Sequence, residues 1–386
     1  MHRYITPIFL ILAAAGLGMN GSEPRAAGRQ ADCSVITAAN IDDCVRMNQI
    51  QTIGTHNSYH LAPEPALMAW MGDRARNIDY SHRPLAEQLE TLGIRQIELD
   101  VLADPDGGRY ATPAAFRLVE GLVEPPSADL AAPGFKVLHG QDVDYRTTCA
   151  TLVACLTEVR DWSRANPTHV PILVLIEAKD GEREDPDGIG YVQPVPIGTR
   201  EFRALDEEIR SVFPADHLLT PVDVRGDHPS LNEAIRIDGW PTLREVRGRV
   251  LFALDNTDEH REAYLASLPV DERVLFVSAP AGHPHSAFLK LNEATGGNEA
   301  EIRTRVSEGY LVRTRADIPT DEARTGSTAR QDAAFRTGAQ YVSTDYPEAS
   351  PFGSGYVARL PGAEALAARC NPVNAPDECR SEWLEP

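Results

Sequence analysis

Four short segments of this chain combine an apolar run with side chains that can bind a metal ion or transfer protons. They are Gln51–Tyr59 with His56 and Asn57, Arg95–Val101 with Glu98 and Asp100, Lys136–Gly140 with His139, and Ile172–Lys179 with Glu177. Apolar runs that turn abruptly polar suit parallel strands buried on both faces, whose carboxyl ends carry the chemistry. We therefore expect the four polar ends to converge at one catalytic site.

Four of these side chains offer hard oxygen ligands, one amide and three carboxylates: Asn57, Glu98, Asp100 and Glu177. Calcium favours this mixture, whereas magnesium keeps more water ligands and zinc prefers His or Cys. The Glu98-x-Asp100 spacing places both carboxylates on one face of a strand, because side chains alternate with a period of two. Any one of these acids alone would be interpreted as a solvated strand end. All four at matching strand ends predict a Ca²⁺ site.

His56 and His139 lie at the ends of two different apolar runs, where each can act as a general acid or base near neutral pH. A single histidine is more often structural. A pair that flanks a carboxylate-bound metal suits phosphodiester cleavage, in which one group protonates the leaving oxygen and the other helps bear phosphoryl charge. We interpret His60 as a loop histidine, and three further histidines as structural residues: His82, His283 and His285.

Three cationic side chains and one aromatic ring are candidates for holding a substrate. Lys179 follows Glu177 by two residues and would point to the same side, and Arg313 and Arg315 share one strand face. Each could bind a phosphate, with a surface salt bridge as the alternative. Tyr346 follows the last apolar run and could stack on a sugar or cyclitol ring, with simple packing as the alternative.

Eight apolar runs match the number of strands in a closed parallel barrel. They are Ile50–Gly54, Arg95–Val101, Lys136–His139, Ile172–Glu177, Val250–Asp255, Val274–Ser278, Tyr310–Arg313 and Tyr341–Thr344. Amphipathic helical stretches lie between several of them: Pro84–Leu92, Leu152–Asn166, Thr199–Val212 and Thr328–Thr337. We predict an α/β fold with a single TIM-type (β/α)8 barrel, in regular or distorted form. A ninth, weaker run at Leu218–Thr220 is interpreted as a short piece within a connection.

The 386 residues, 42% of them hydrophobic, can bury a large core. Residues 1–28 are predicted to form a signal peptide and leader, because a basic start precedes an apolar run too short to span a membrane. Residues 29–386 are predicted to form a single catalytic domain. The protein is therefore expected to be secreted or periplasmic, with no transmembrane anchor in the mature chain. Six cysteines form three close pairs that fit disulfides: Cys33 with Cys44, Cys149 with Cys155, and Cys370 with Cys379.

The formal net charge of −20 excludes the classes of protein that rely on a basic surface. Nucleic-acid binding needs clustered Lys and Arg, and electrostatic adsorption to anionic membranes needs the same. An anionic head group would therefore be held by a divalent metal and by a few placed cationic side chains.

In their order and strand context, the four motifs resemble the catalytic domain of phosphoinositide-specific phospholipase C, in particular its secreted, calcium-dependent bacterial form. The resemblance spans the chain from about Gln51 to Tyr346 and implies a phospholipase C-like phosphodiesterase barrel. It implies that His56 and His139 are the catalytic pair and that Glu98 doubles as a base. It also implies a set of calcium ligands: Asn57, Glu98, Asp100 and Glu177.

The implied substrate is phosphatidylinositol at a membrane interface. The inositol 2-hydroxyl would attack phosphorus and expel diacylglycerol, which leaves an inositol cyclic phosphate. His139 would protonate the glycerol oxygen, and His56 would stabilise the transition-state oxygens. Few basic residues are available to hold extra phosphates, so the unphosphorylated head group is expected.

Two other interpretations stay open. A glycerophosphodiesterase or sphingomyelinase D-like enzyme on the same barrel would also use Glu-x-Asp, two histidines and a divalent metal. The former usually carries His-Arg-Gly at the first strand, where this chain has His56-Asn57-Ser58. A non-catalytic, calcium-binding secreted module is the other alternative, although this chain keeps every expected acid–base residue.

Overall fold

The computed structural model describes residues 32–186 and 188–385. The predicted signal peptide and leader, residues 1–28, lie outside these described residues. Within the described ranges, none of the helices has the length and apolar character needed to cross a membrane. The single catalytic domain of residues 29–386 stays a prediction.

The strands of the described chain form one sheet of ten, which closes on itself because β1 pairs with both β9 and β2. They are β1 (Ile50–Thr55), β2 (Gln96–Leu102), β3 (Lys136–Val137), β4 (Ile172–Ala178), β5 (Val250–Leu254), β6 (Leu275–Ser278), β7 (Ser286–Lys290), β8 (Leu311–Arg315), β9 (Tyr341–Thr344) and β10 (Ala368–Cys370). Eight of them are parallel, in the order β1-β2-β4-β5-β6-β7-β8-β9. The predicted TIM-type barrel is confirmed.

Helices cover the outside of the barrel. The α-helices are α1 (Ile41–Cys44), α2 (Pro65–Met71), α3 (Leu85–Thr91), α4 (Ala115–Leu118), α5 (Leu152–Ala165), α6 (Thr199–Val212), α7 (Pro221–Arg225), α8 (Leu231–Ile237), α9 (Leu243–Val246), α10 (Asp258–Ser267), α11 (Asn298–Ser307), α12 (Asp321–Thr325) and α13 (Ala329–Arg336). Short 3-10 helices span Met47–Gln49, Gly72–Ile78, Ala128–Ala131, Ala215–His217 and Ser381–Trp383. All four predicted helices are confirmed, each within one residue of its predicted ends.

Helix α6 shows how the sequence determines one of these covering helices. Phe202, Leu205 and Ile209 recur at helical spacing and are fully buried, so one face packs on the barrel. The Glu201 side chain accepts a hydrogen bond from the Gly198 backbone N–H at 3.1 Å, which caps the first turn.

One predicted barrel strand is wrong, and one barrel strand was missed. Lys136–His139 is not a barrel strand: only Lys136–Val137 is extended, and it pairs antiparallel with the end of β2. The barrel instead contains β7, which the sequence interpretation missed. Residues 279–285 join β6 to β7 without a helix, so the strand–helix alternation used for the prediction is broken there. The ninth run at Leu218 makes an isolated parallel bridge to Val250, as expected for a piece of a connection.

Strands β1 and β2 pair over a very short ladder, and the end of β2 pairs instead with the short antiparallel strand β3. The ladder between these strands consists of one residue pair, Gly54 opposite Gln96. A Cβ atom on Gly54 would lie 2.0 Å from Oε1 of Gln96, so glycine permits this close approach. Farther up, Ser58 exchanges hydrogen bonds with the Glu98 backbone at 2.8 and 2.9 Å, and β3 pairs with the last residues of β2. The edge of β2 thus directs both the loop after β1 and the segment after β3 to the same mouth.

Three disulfides join the cysteines in the pairs that lie close in sequence: Cys33–Cys44, Cys149–Cys155 and Cys370–Cys379. The first anchors the start of the described chain to α1, and the last anchors β10 to the C-terminal segment. The middle one joins the segment after β3 to α5. Structural disulfides of this kind fit an oxidising compartment.

Candidate active site

The predicted site residues lie at the carboxyl ends of the barrel strands. His56 and Asn57 follow β1 directly, Glu98 and Asp100 lie within β2, and Glu177 lies near the end of β4. Asn57 adopts a left-handed backbone conformation, with φ of 44°. Asparagine tolerates this region better than most residues, and such strain is concentrated at functional sites.

Three carboxylates converge at this mouth. Asp100 is directly opposite Glu177 in the ladder between β2 and β4. One oxygen from each of Glu98, Asp100 and Glu177 lies within 4.8 Å of the others. Glu98 and Asp100 are buried, at 2% and 0% exposure, so solvent does little to screen their mutual repulsion.

Burial shifts the acidity of this cluster. It raises the pKa of Glu98 to about 8, a shift that Arg313 opposes and the Asp255, Asp100 and Glu177 carboxylates increase. Burial likewise raises the pKa of Asp100 to about 7, against the opposing charge of Lys179 and with the support of Glu177. Arg313 and Lys179 offset only part of the negative charge of these carboxylates, and a divalent cation would offset the rest.

Unpartnered oxygens support the same conclusion. The Oδ1 atoms of Asn57 and Asp100 are buried, and neither has a hydrogen-bond partner among the described residues. The Asn57 amide is oriented by Tyr80, whose Oη accepts from Nδ2 at 2.9 Å, and this leaves Oδ1 as the available ligand atom. Oxygens of this type and number suit calcium. The residues present therefore fit the metal that the sequence predicts.

Lys179 contacts the carboxylate cluster directly. Its Nζ lies 3.1 Å from Oδ2 of Asp100 and 3.0 Å from Oε1 of Glu177. Burial alone would lower the pKa of Lys179, but the two carboxylates outweigh burial and raise that pKa above its usual value. The predicted phosphate-binding lysine thus lies across two of the predicted metal ligands.

His56 is held between an acid and an arginine. Its Nδ1 lies 2.8 Å from Oδ1 of Asp345, while Nε2 lies 3.4 Å from Nη1 of Arg315 and 3.7 Å from Oε1 of Glu98. Burial and the charge of Arg315 lower the pKa of His56 to about 3, although Asp345 acts in the opposite direction. The ring is therefore neutral near pH 7, with Nδ1 as the donor to Asp345 and Nε2 as the acceptor facing Glu98.

His139 has its own acid. Its Nδ1 lies 2.5 Å from Oδ2 of Asp144, and the side chain is 28% exposed. Burial would raise the pKa of Asp144, but His60 and His139 outweigh burial and hold that pKa below its usual value. Each candidate catalytic histidine is thus oriented through Nδ1 by a buried carboxylate, and Nε2 is left for the reaction.

The site thus combines oxygen ligands from the ends of three strands with two histidines, each of which is hydrogen-bonded to a buried carboxylate. The family model for "Phosphoinositide phospholipase C, Ca2+-dependent" matches residues 45–372 of this chain. The chain belongs to this family. It is a Ca²⁺-dependent enzyme, and its substrate class is a phospholipid. No curated protein matches the sequence.

Two solved structures of a calcium-dependent phosphoinositol-specific phospholipase C from a Gram-negative bacterium, Pseudomonas sp., share the fold of this phospholipase C. The apo form is 17% identical to this chain and has a TM-score of 0.53. The aligned region covers 84% of this chain and 95% of the Pseudomonas chain. The complex with myoinositol is 16% identical and has a TM-score of 0.54. Its aligned region covers 87% of this chain and 98% of the Pseudomonas chain. At these identities the likeness establishes the fold.

The two arginines of β8 face the interior of this phospholipase C barrel, but carboxylates already occupy them. Arg313 Nη2 donates to Oε2 of Glu98, and Nη1 donates to Asn292 at 2.6 Å. Arg315 Nη2 donates to Oδ2 of Asp345 at 3.1 Å. Neither arginine is a surface salt bridge, and their shared role here is to balance buried acids.

Tyr346 lies where the packing alternative places it. Its side chain is 4% exposed, and its ring lies 6.5 Å from that of Tyr80, 6.2 Å from that of Phe352 and 6.1 Å from that of Tyr356. This aromatic cluster leaves little of the ring for stacking on a ligand.

Several side chains that contact the candidate site residues were missed from sequence. Asp345 directly follows the last predicted strand, so the rule that found Glu177 could have found it. Asp144 and His60 lie in loops, where no local pattern marks them. His82, interpreted as structural, donates from Nε2 to the His56 backbone carbonyl at 2.9 Å and so supports the catalytic loop.

Proposed function

We propose that this phospholipase C is a secreted phosphodiesterase that cleaves phosphatidylinositol into diacylglycerol and an inositol cyclic phosphate. The observation that carries the proposal is the convergence at one mouth of three carboxylates, within 4.8 Å of one another, and two acid-backed histidines. Secretion is supported by the three disulfides and by the basic and apolar start of the sequence.

The metal site consists of Asn57, Glu98, Asp100 and Glu177. Calcium held by these residues would lower the pKa of the attacking inositol hydroxyl and would neutralise charge on the phosphoryl group. Lys179 shares Asp100 and Glu177 with this site, and its ammonium is the proposed contact for a phosphate oxygen.

The proton of the 2-hydroxyl is accepted next to His56. Oε1 of Glu98 and Nε2 of His56 lie 3.7 Å apart, close enough to contact the same hydroxyl group, and Glu98 is the proposed base. Asp345 fixes the His56 ring, and Arg315 adds positive charge beside Nε2, where the phosphoryl oxygens develop negative charge.

His139 is the proposed acid. Asp144 accepts from its Nδ1 and stabilises the protonated ring, which can then donate a proton from Nε2 to the departing glycerol oxygen. The P–O bond to glycerol breaks as the bond to the 2-oxygen forms. The products are neutral diacylglycerol and the cyclic phosphodiester.

Phosphatidylinositol without further phosphates is the proposed substrate, met at a membrane interface. Arg313 and Arg315 are committed to Glu98 and Asp345, so the mouth has few cations left for additional phosphates. The Pseudomonas neighbour was solved with myoinositol, which supports an inositol ring as the group bound at the mouth.

The test is head-group release from phosphatidylinositol vesicles by the purified mature protein, followed by phosphorus NMR. We expect an inositol cyclic phosphate with Ca²⁺, little product with Mg²⁺, and none with EGTA. The His139→Ala variant is the control for contaminating activity. Release of a linear phosphate from glycerophosphodiesters or sphingomyelin would support the other phosphodiesterases. Calcium binding without any turnover would overturn the proposal in favour of the binding module.

A further inference from the structure

His60 lies behind the proposed acid, four residues after His56, and its side chain is buried with 0% exposure. Nδ1 of the ring lies 3.0 Å from the Tyr80 carbonyl oxygen, and Nε2 lies 2.9 Å from Oδ1 of Asp144. Both partners are acceptors, so both ring nitrogens donate. The ring centre lies 4.5 Å from that of Tyr80, with the two planes tilted by 35°, and the ring cannot turn without losing its two hydrogen bonds.

Asp144 is shared between two histidines. Oδ1 accepts from His60, and Oδ2 accepts from Nδ1 of His139 at 2.5 Å. The Asp144 backbone is paired with Gly140 at 3.0 and 3.1 Å, which keeps the loop between His139 and Asp144 short and closed. With the backbone and one oxygen fixed, the hydrogen bond from His60 determines the plane of the carboxylate.

The same three residues are close enough to suggest a metal site, since their ligand atoms lie within 4.8 Å of one another. Nε2 of His60, Nδ1 of His139 and both carboxylate oxygens of Asp144 already have hydrogen-bond partners, unlike the unpartnered oxygens of the carboxylate cluster. A chain of hydrogen bonds therefore accounts for the contacts without a cation.

We propose that His60 is a positioning residue, which fixes Asp144 and through it orients the His139 ring for proton donation. The inference rests on the proposed function of His139. His60 itself touches neither the metal ligands' side chains nor the reacting atoms. Its loss should therefore affect the protonation of the leaving group more than the binding of substrate or calcium.

The experiment compares two substrates that differ in their leaving group. Phosphatidylinositol expels an alkoxide that needs an acid, whereas an inositol 4-nitrophenyl phosphodiester expels a stable phenolate that hardly does. For His60→Ala we expect kcat to fall roughly 10-fold to 100-fold on the lipid and less than about threefold on the aryl ester. KM and the calcium Kd from calorimetry should change less than about twofold.

Two conservative variants make the result specific. The amide nitrogen of His60→Gln can replace Nε2 and donate to Asp144, whereas that of His60→Asn reaches only the position of Nδ1. We expect Gln to restore most of the lipid activity and Asn to restore little. His169→Ala is the matched control: His169 is buried at 1%, bonds to the Val170 carbonyl and Ser163, and precedes the amino end of β4, whereas the candidate site lies at the carboxyl ends of the strands. It should leave the ratio of the two activities unchanged.

Equal losses on both substrates, or equal rescue by Gln and Asn, would overturn the inference. A wild-type protein inactive on both substrates would overturn the proposed function instead. In that case the ¹⁵N spectrum of His139 decides the inference without turnover. A His139 ring that keeps its proton on Nδ1 in wild type and in His60→Gln but not in His60→Ala supports positioning, and an unchanged ring in all three contradicts it.

Discussion

Two groups of buried acids lie at the same barrel mouth, and they differ in what neutralises them. Glu98 and Asp100 have raised pKa values, and buried oxygens beside them lack hydrogen-bond partners in the described chain. Asp144 is equally buried, but both of its oxygens accept from histidines and its pKa is lowered. Residue type and burial alone therefore do not reveal a metal site. A metal site is indicated by buried carboxylates whose negative charge the protein's own cations do not fully offset.

The largest effect on activity should come from removing His139, the proposed acid that is bonded to Asp144. His139→Ala is expected to lower kcat on phosphatidylinositol roughly 10²-fold to 10⁴-fold, the usual contribution of a general acid. Calcium affinity should stay the same, because His139 is bonded to Asp144 and not to the carboxylate cluster. Vesicle assays and calorimetry on one preparation check both. A weakened calcium affinity would show that the two groups are not separate.

The same substitution in each group should have opposite effects on stability. Asp144→Asn removes the charge that pairs with His60 and His139, and breaking a buried pair costs roughly 3–5 kcal/mol. Asp100→Asn removes a carboxylate whose pKa is already raised by burial, so without calcium the protein should unfold at the same or higher denaturant concentration. Urea unfolding in EGTA measures both variants. Similar destabilisation by the two variants would remove the distinction between the groups.

The pH dependence of the unfolding free energy should reveal the raised pKa values of Glu98 and Asp100. In the folded protein the pKa values of Glu98 and Asp100 lie at about 8 and about 7, above those of the unfolded chain. The folded state therefore holds more protons, and stability without calcium falls as pH rises through this range. His56, whose pKa is lowered to about 3, has the opposite effect, but only below about pH 6.5. Burial also raises the pKa of Asp317 to about 7, so the window from pH 6.5 to 8 reports all three acids. Only the part of the loss that calcium cancels belongs to Glu98 and Asp100.

Calcium should cancel that loss, because it binds the ionised carboxylates. The increase in unfolding free energy that calcium produces is expected to be larger at pH 8 than at pH 6.5, by up to about 1.4 kcal/mol per pH unit for each proton released. Thermal or urea unfolding in EGTA and in calcium at both values checks this. An equal calcium effect at the two pH values would contradict the raised pKa values.

The smallest effect should be on calcium affinity, on removing the Lys179 ammonium that contacts the carboxylate cluster. Lys179 pairs with Asp100 and Glu177, so Lys179→Met removes a competitor of the metal and should tighten calcium binding several-fold. Lys290→Met is the matched control, since Lys290 pairs at 2.5 Å with Asp255, which is outside the ligand set. Calorimetry that finds weaker calcium binding in Lys179→Met would mean that the lysine supports the site instead.

Most of the barrel could be predicted from sequence because its strands are buried on both faces and appear as uninterrupted apolar runs, as in Ile172–Ala178. The exceptions have physical reasons. The run at Lys136 pairs antiparallel with the last residues of β2, and the direction of that pairing has no local signature. Strand β7 follows β6 without the helix that marks the other crossovers.

The candidate site was predictable to the extent that it lies on strands. The Glu98-x-Asp100 spacing and Glu177 follow from a period of two and a strand end. Asp144 and His60 belong to loops that meet only in the folded protein, so their pairing could not be read from either segment. Lys179 was expected to hold a phosphate, and the contact it makes with two carboxylates depends on the ladder between β2 and β4.

The most direct test of the difference between the two groups is a crystal structure of the protein grown with calcium, with the ion located by anomalous scattering. We expect one ion about 2.3–2.6 Å from oxygens of Asn57, Glu98, Asp100 and Glu177, with Lys179 moved away and the Asp144 contacts unchanged. An ion bound at Asp144, or an empty carboxylate cluster that still holds Lys179, would contradict the account.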